Sequence, residues 1–272
     1  MLCGGSNTKG RKLTCYFCIL TVVAVLFSGC AMAETQQQKE KCFVKPPQMG
    51  MFEGESKTLG SGVAYSWVKL DNEGNPSSIG VNFTESALEG HPEGRTVEYT
   101  LSLPEEAAST AYNHIGIDWN PHGHEPQGIY DKPHFDVHFY MITPEERDKI
   151  TATGEDCKNL SKMPASEYIP EGYVPTPGGV PRMGAHWIDP KAPEFNGQPF
   201  NETFIYGFYN GEMVFVEPMV TIAFLETKPE VTKELKLPKC YPTSSYYPTS
   251  YSLSYSETNK EYTLALEGLT LR

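Results

Sequence analysis

Residues 134–140 alternate with a period of two, and a helix start follows at once. Phe135, Val137 and Phe139 fall on one side, and His134, Asp136 and His138 on the other. This is the pattern of a β-strand with one apolar and one polar face. Thr143-Pro144-Glu145-Glu146 then reads as a capping box with proline at the first helical position. A helix that begins at Thr143 has to be preceded by something else, so His134 and His138 are not an i, i+4 pair on a helix. The apolar side of the strand needs a core. Its polar side, if covered, needs hydrogen-bond partners or an ion.

The rest of the chain supplies more strands than helices. Residues 62–70 and 78–83 read as two strands joined by the turn Asp71-Asn72-Glu73-Gly74-Asn75, and residues 96–101 as a third. Residues 203–209 and 212–216 flank Asn210-Gly211, which suits a type I′ hairpin. Pro218 should then mark a bulge or an edge. Residues 220–225 continue as strand, and residues 251–256 and 261–266 form a last hairpin. Helices are expected after Ser102-Leu103-Pro104-Glu105, after Thr143, and over residues 229–236. Residues 155–191, rich in Pro and Gly, read as mostly loop. With 22 Pro and 24 Gly to make turns, the expected fold class is mainly β, a sandwich or barrel with two or three short helices in one domain over residues 61–272.

The N-terminal region reads differently. Lys9, Arg11 and Lys12 precede an apolar run over residues 13–27, so residues 1–33 are expected to be a signal peptide. Phe27-Ser28-Gly29-Cys30 resembles a lipobox, which would make Cys30 a lipidated membrane tether. Ala31-Met32-Ala33 instead suits ordinary cleavage before Glu34. The expected location is therefore outside the cytoplasm: lipid-anchored to the envelope, periplasmic or secreted. Residues 34–60 read as a flexible N-terminal segment. Cys42, Cys157 and Cys240 would remain in the mature chain, enough for one disulfide and one leftover thiol. The formal charge of −12 argues against nucleic acid as a partner.

The chemistry concentrates in the histidines. His122 and His124 flank Gly123, His134 and His138 share the alternating strand with Asp136, and His186 could arrive from elsewhere. Imidazoles mixed with carboxylates suit a divalent transition metal, with Zn the first choice and Mn, Fe or Cu as alternatives. Side chains two apart on a strand lie about 6.6 Å apart and those four apart about 13 Å. His134 and His138 thus should not share an ion, whereas Asp136 could join either. The candidate ligands are His122, His124, His134, Asp136, His138 and His186. Glu125 and Glu217 are candidate general bases, or outer partners of a ligating histidine. His91 reads as a surface residue, His114 as a cap or packing residue, Asp118 as turn chemistry and Trp119 as a core anchor. The alternative is a polar network that packs without any ion. Gly-x-Ser-x-Gly, HExxH and a phosphate-cradling loop are all absent from the sequence.

Two blocks carry a resemblance. One runs from Gly116-Ile117-Asp118-Trp119-Asn120-Pro121-His122-Gly123-His124-Glu125-Pro126 to Pro133-His134-Phe135-Asp136-Val137-His138-Phe139-Tyr140. The other joins Gly184-Ala185-His186-Trp187-Ile188-Asp189, Thr203-Phe204-Ile205-Tyr206-Gly207 and Val216-Glu217-Pro218-Met219-Val220-Thr221. Together they resemble a family of uncharacterised exported bacterial proteins with a domain of unknown function, including a thermophile protein under sigma-E and anti-sigma-E control. The resemblance implies export and a homo-oligomer, and no activity. His122-Gly123-His124 and Pro181-Arg182-Met183-Gly184-Ala185-His186 are also similar to the two cupin motifs, whose Glu and Gly spacings are not met. Three functions are consistent with these residues: an exported metal-binding protein, a metal-dependent hydrolase or oxygenase, and a structural envelope protein.

Overall fold

Strands with one apolar face must bury it, and here two antiparallel sheets do so against each other. The computed structural model describes residues 48–272. One sheet has six strands in the order β1 (Gly50–Leu59), β2 (Gly62–Leu70), β3 (Pro76–Thr84), β14 (Glu261–Glu267), β13 (Ser250–Ser256) and β11 (Val231–Glu234). The other has seven: β4 (Val97–Ser102), β5 (His114–Asn120), β6 (His134–Tyr140), β10 (Glu212–Thr221), β9 (Glu202–Tyr209), β8 (Ala185–Ile188) and β7 (Val174–Pro175). A small pair, β12 (Tyr246–Tyr247) with β15 (Thr270–Leu271), lies outside both. The fold is a β-sandwich rather than a closed barrel. Among the described residues, three one-turn helices accompany it: α1 (Pro144–Arg147), α2 (Cys157–Leu160) and α3 (Ile222–Leu225).

The main core lies between the sheets. Val68, Ile79, Val81 and Phe83 come from one side; Ile115, Ile117, Trp119, Phe135, Val137, Phe139, Val216 and Val220 come from the other. Strand β6 holds the third place of seven, and all seven of its residues are buried. Its register with β5 sets Ile115, Ile117 and Trp119 opposite Phe139, Val137 and Phe135, so apolar residues of both strands share the core face. The polar alternates point outward. They are buried there by two smaller apolar groups. Tyr130, Phe200, Ile205 and Met219 form one group, and Tyr140, Val214 and Phe215 the other.

The hairpins form as expected, and Asn210 and Gly211 hold φ of 53° and 82°, as a type I′ turn requires. The Thr143 capping box is present: its Oγ1 accepts from Glu146 N at 3.2 Å, and its own N–H donates to Glu146 Oε2 at 2.8 Å.

Several expectations are corrected. Residues 50–59 are not a loose segment but strand β1, paired with β2. The run after Ser102 makes only a 3₁₀ turn (Glu105–Ser109), because Ala107 alone anchors it to the core. The helix expected over residues 229–236 is instead β11, where pairing with β13 outweighs local preference. The strand expected over residues 220–225 ends at Thr221, whose Oγ1 accepts from Phe224 N and caps α3. Pro218 sits inside β10 opposite Phe204, and the register shift falls between Met213 and Phe215. His91 is partly buried, stacked on Trp119 at 4.6 Å, with Nε2–H donated to Ala87 O. Cys157 and Cys240 are exposed and unbonded. The signal, the lipobox and Cys42 lie outside the described residues.

Candidate metal centre

The outward face of β5, β6 and β10 gathers the polar residues into two groups, four residues apart along β6. Strand register alone brings Glu217 opposite His138, since Val216 pairs with Phe139 and Met219 with Asp136. The first group is His124, His134 and Asp136; the second is His138, His186 and Glu217. In each, one atom per residue lies within 4.8 Å of the others. His134 and His138 fall in different groups, as the length of four strand residues demands.

In the first group two backbone carbonyls set the imidazoles. His134 donates Nδ1–H to Lys132 O at 2.6 Å, and His124 donates Nδ1–H to Glu125 O at 2.8 Å. Both Nε2 atoms therefore turn toward Asp136. His124 Nε2 lies 3.2 Å from Asp136 Oδ2, and His134 Nε2 lies 2.9 Å from Oδ1. That last pair is close but misaligned, and both atoms are buried without a hydrogen-bond partner. An orphaned buried polar atom costs ~1–3 kcal/mol. Asn120 Nδ2 donates to Asp136 Oδ2 at 2.7 Å and holds the carboxylate in place. Burial by itself would raise Asp136, but the charge of His134 and the hydrogen bond from His124 hold it well below the carboxylate range. Burial would lower His124, yet the hydrogen bond to Asp136 raises it to about 9. Without an ion, a proton on His124 thus balances the Asp136 charge.

The second group is drier. The His138 side chain is fully buried, that of Glu217 is 1% exposed and that of His186 is 16%. His138 Nδ1 faces Asp118 Oδ2 at 3.3 Å, and its Nε2 faces Glu217 Oε2 at 3.4 Å. His186 Nε2 reaches the same Glu217 oxygen at 3.5 Å. Burial lowers His138 well below its usual value and takes His186 down to about 4. Glu217 is pushed well above its usual value by burial and then by the Asp136 and Asp118 charges. Asp118 is also raised, by burial first and Asp136 second.

His186 reaches Glu217 from β8 across the intervening β9. It can do so because its cross-strand neighbour there is Gly207, over which the Phe215 ring lies. A Cβ at Gly207 would stand 2.1 Å from Phe215 Cε1. Gly207→Ala is accordingly expected to cost ~1–3 kcal/mol by overpacking. Urea unfolding measures this, and a loss within error of zero would show that the ring moves freely.

Four sequence-predicted residues lie elsewhere or act differently. His122 is exposed and joins neither group. Gly123, at φ 69°, turns the chain between the two histidines, and only His124 faces Asp136. Glu125 is exposed and accepts from Gln127 N at 2.7 Å, a local turn contact outside both groups. Glu217 stands among the possible donors rather than behind them. His114 packs as expected: its Nε2 must accept from Arg147 Nη1 at 3.3 Å, since a guanidinium cannot accept. Asp118, read as turn chemistry, is instead on β5 directly opposite Asp136. The alternation of Ile115, Ile117 and Trp119 with Gly116, Asp118 and Asn120 carried that signal.

A family model described as TTHB210-like, after the hypothetical protein TTHB210, matches residues 71–119. The matched stretch runs from the turn after β2 into β5, so it includes Asp118 and none of the six expected ligands. It overlaps the first resembling block only at its start. No curated protein and no solved structure matches the chain. Over this stretch the chain is similar to an uncharacterised family of hypothetical proteins.

Proposed function

We propose that this is an exported protein that binds a divalent transition metal ion through His124, His134 and Asp136. The observation that carries the reading is the locking of both imidazoles. Each Nδ1–H is committed to a backbone carbonyl, which leaves each Nε2 lone pair for an ion beside Asp136. Ligating histidines are held in this way by an outer acceptor. Two nitrogens and one carboxylate oxygen favour zinc, with Mn, Fe and Cu as alternatives. Binding would displace the His124 proton and relieve the orphaned His134 Nε2 and Asp136 Oδ1. Export rests on the signal-like residues 1–33 and on the lipobox or small-residue cleavage sequence after them.

The same geometry favours one second reading, a metal-dependent hydrolase or oxygenase. Two histidines and one carboxylate leave coordination positions open, and the His124 side chain is 37% exposed, so an outside molecule can approach. A structural envelope protein with a metal-free network is the remaining alternative.

Elemental analysis of the purified protein, after reconstitution with Zn, Mn, Fe and Cu in turn, tests the reading. His124→Ala and Asp136→Asn are each expected to remove about one metal equivalent per chain, and His122→Ala none. Undiminished metal in the His124→Ala, Asp136→Asn double variant would exclude this site. A wild-type chain that takes up no ion would leave only the metal-free network.

A further inference from the structure

We infer that His138, His186 and Glu217 form a second, more deeply buried metal site, in which a zinc-like divalent ion ties β8 to the middle of the sheet. It shares the metal-binding reading above but none of its residues. The spacing of the donors carries it. A tetrahedral ion with bonds of ~2.1 Å holds its donors roughly 3.4 Å apart. Glu217 Oε2 lies 3.4 Å from His138 Nε2 and 3.5 Å from His186 Nε2. Those distances are long for hydrogen bonds, and His138 Nε2 and Glu217 Oε2 are buried with no partner at all.

The outer arrangement agrees. Asp118 Oδ2 lies 3.3 Å from His138 Nδ1, on the side of the ring away from Glu217. Both atoms lack a hydrogen-bond partner as they stand, and a small turn of the ring toward an ion would let Nδ1–H meet this carboxylate, as outer partners of ligating histidines do. Phe215 packs edge-on against both rings, at 4.9 Å from His138 and 5.2 Å from His186. Nothing local would bring His186 there. Strand β8 is four residues long and lies second from the sheet edge, yet its one outward imidazole crosses Gly207 to reach β10. The two sites should therefore differ in exchange. An ion at His124 is open on one side, whereas an ion at Glu217 would sit between two side chains with almost no exposure and meet solvent only past His186.

The test is zinc content and zinc release on the full chain. Wild type is expected to hold two equivalents, released to a colorimetric chelator in a fast and a slow phase. His124→Ala should abolish the fast phase alone. His186→Ala and the isosteric Glu217→Gln should each abolish the slow phase alone, with near-ultraviolet circular dichroism confirming the fold. A wild type with one equivalent, lost in His124→Ala, would overturn this site and leave the first standing. One equivalent lost in Glu217→Gln but kept in His124→Ala would do the reverse. Two equivalents retained in both buried-site variants would also overturn it, and no zinc in wild type would overturn both sites.

Discussion

Phe135→Ala is expected to lower the free energy of unfolding by ~3–5 kcal/mol, the usual cost of emptying a buried phenylalanine site. The residue is 1% exposed and joins the two sheets. Its ring meets Phe83 of β3 at 6.0 Å, Trp119 of β5 at 5.4 Å and the His91 ring at 5.3 Å. The flanking strands are backbone-paired on both sides, so the site has little freedom to collapse. Urea unfolding measures the loss, and a cost below about 1.5 kcal/mol would mean that Phe135 does not carry the core. Phe135→Leu keeps most of the volume and should cost a fraction as much. The position also guards the candidate sites. A slip of one residue in β6 would turn His134, Asp136 and His138 into the core and Phe135 out of it.

Arg147→Ala should be the other costly change, at about 3 kcal/mol, because it breaks a buried ion pair. The guanidinium is fully buried. It donates Nη1 and Nη2 to the two oxygens of Glu98 at 3.0 and 3.2 Å, and Nε to Arg182 O at 3.1 Å. It also lies 3.7 Å from the centroid of Tyr140, whose ring stacks on His138. Arg182 continues to pair with Glu98 in the variant, which keeps the cost toward the lower end. The pair gives stability a pH dependence. Burial would raise Glu98, but Arg147 and Arg182 lower it below its usual value. A carboxylate depressed in the folded state contributes in full above its unfolded value of roughly 4.3, and that contribution is lost as pH falls through the folded value. The wild type and Arg147→Ala should therefore differ most near neutrality, and the difference should begin to shrink once pH falls below roughly 4.3. A difference that did not shrink at all through the acid range would assign the cost to lost packing instead.

The architecture was largely legible because its determinants are local. Alternation in residues 134–140, the Thr143 capping box and the Asn210-Gly211 turn each act over a few residues. What failed was also local in origin. The stretch over residues 229–236 looks helical by itself, and only the free edge of β13 makes it a strand. Residues 50–59 show no clean alternation, yet they complete the six-stranded sheet beside β2.

The sequence by itself determined the faces of β6, and with them the separation of His134 from His138, because strand geometry fixes the distance between positions on one chain. It also marked which residue types could hold an ion. Only the tertiary structure decided which of them meet. Glu217 comes opposite His138 through the β6–β10 register, His186 arrives over Gly207 from two strands away, and Asp118 stands opposite Asp136 through β5. His124 rather than His122 faces Asp136 because Gly123 turns the loop between them. Periodicity specifies which side of a strand a residue occupies. Its neighbours across the sheet depend on strand order and register, set by contacts tens of residues apart, and a local pattern does not encode them.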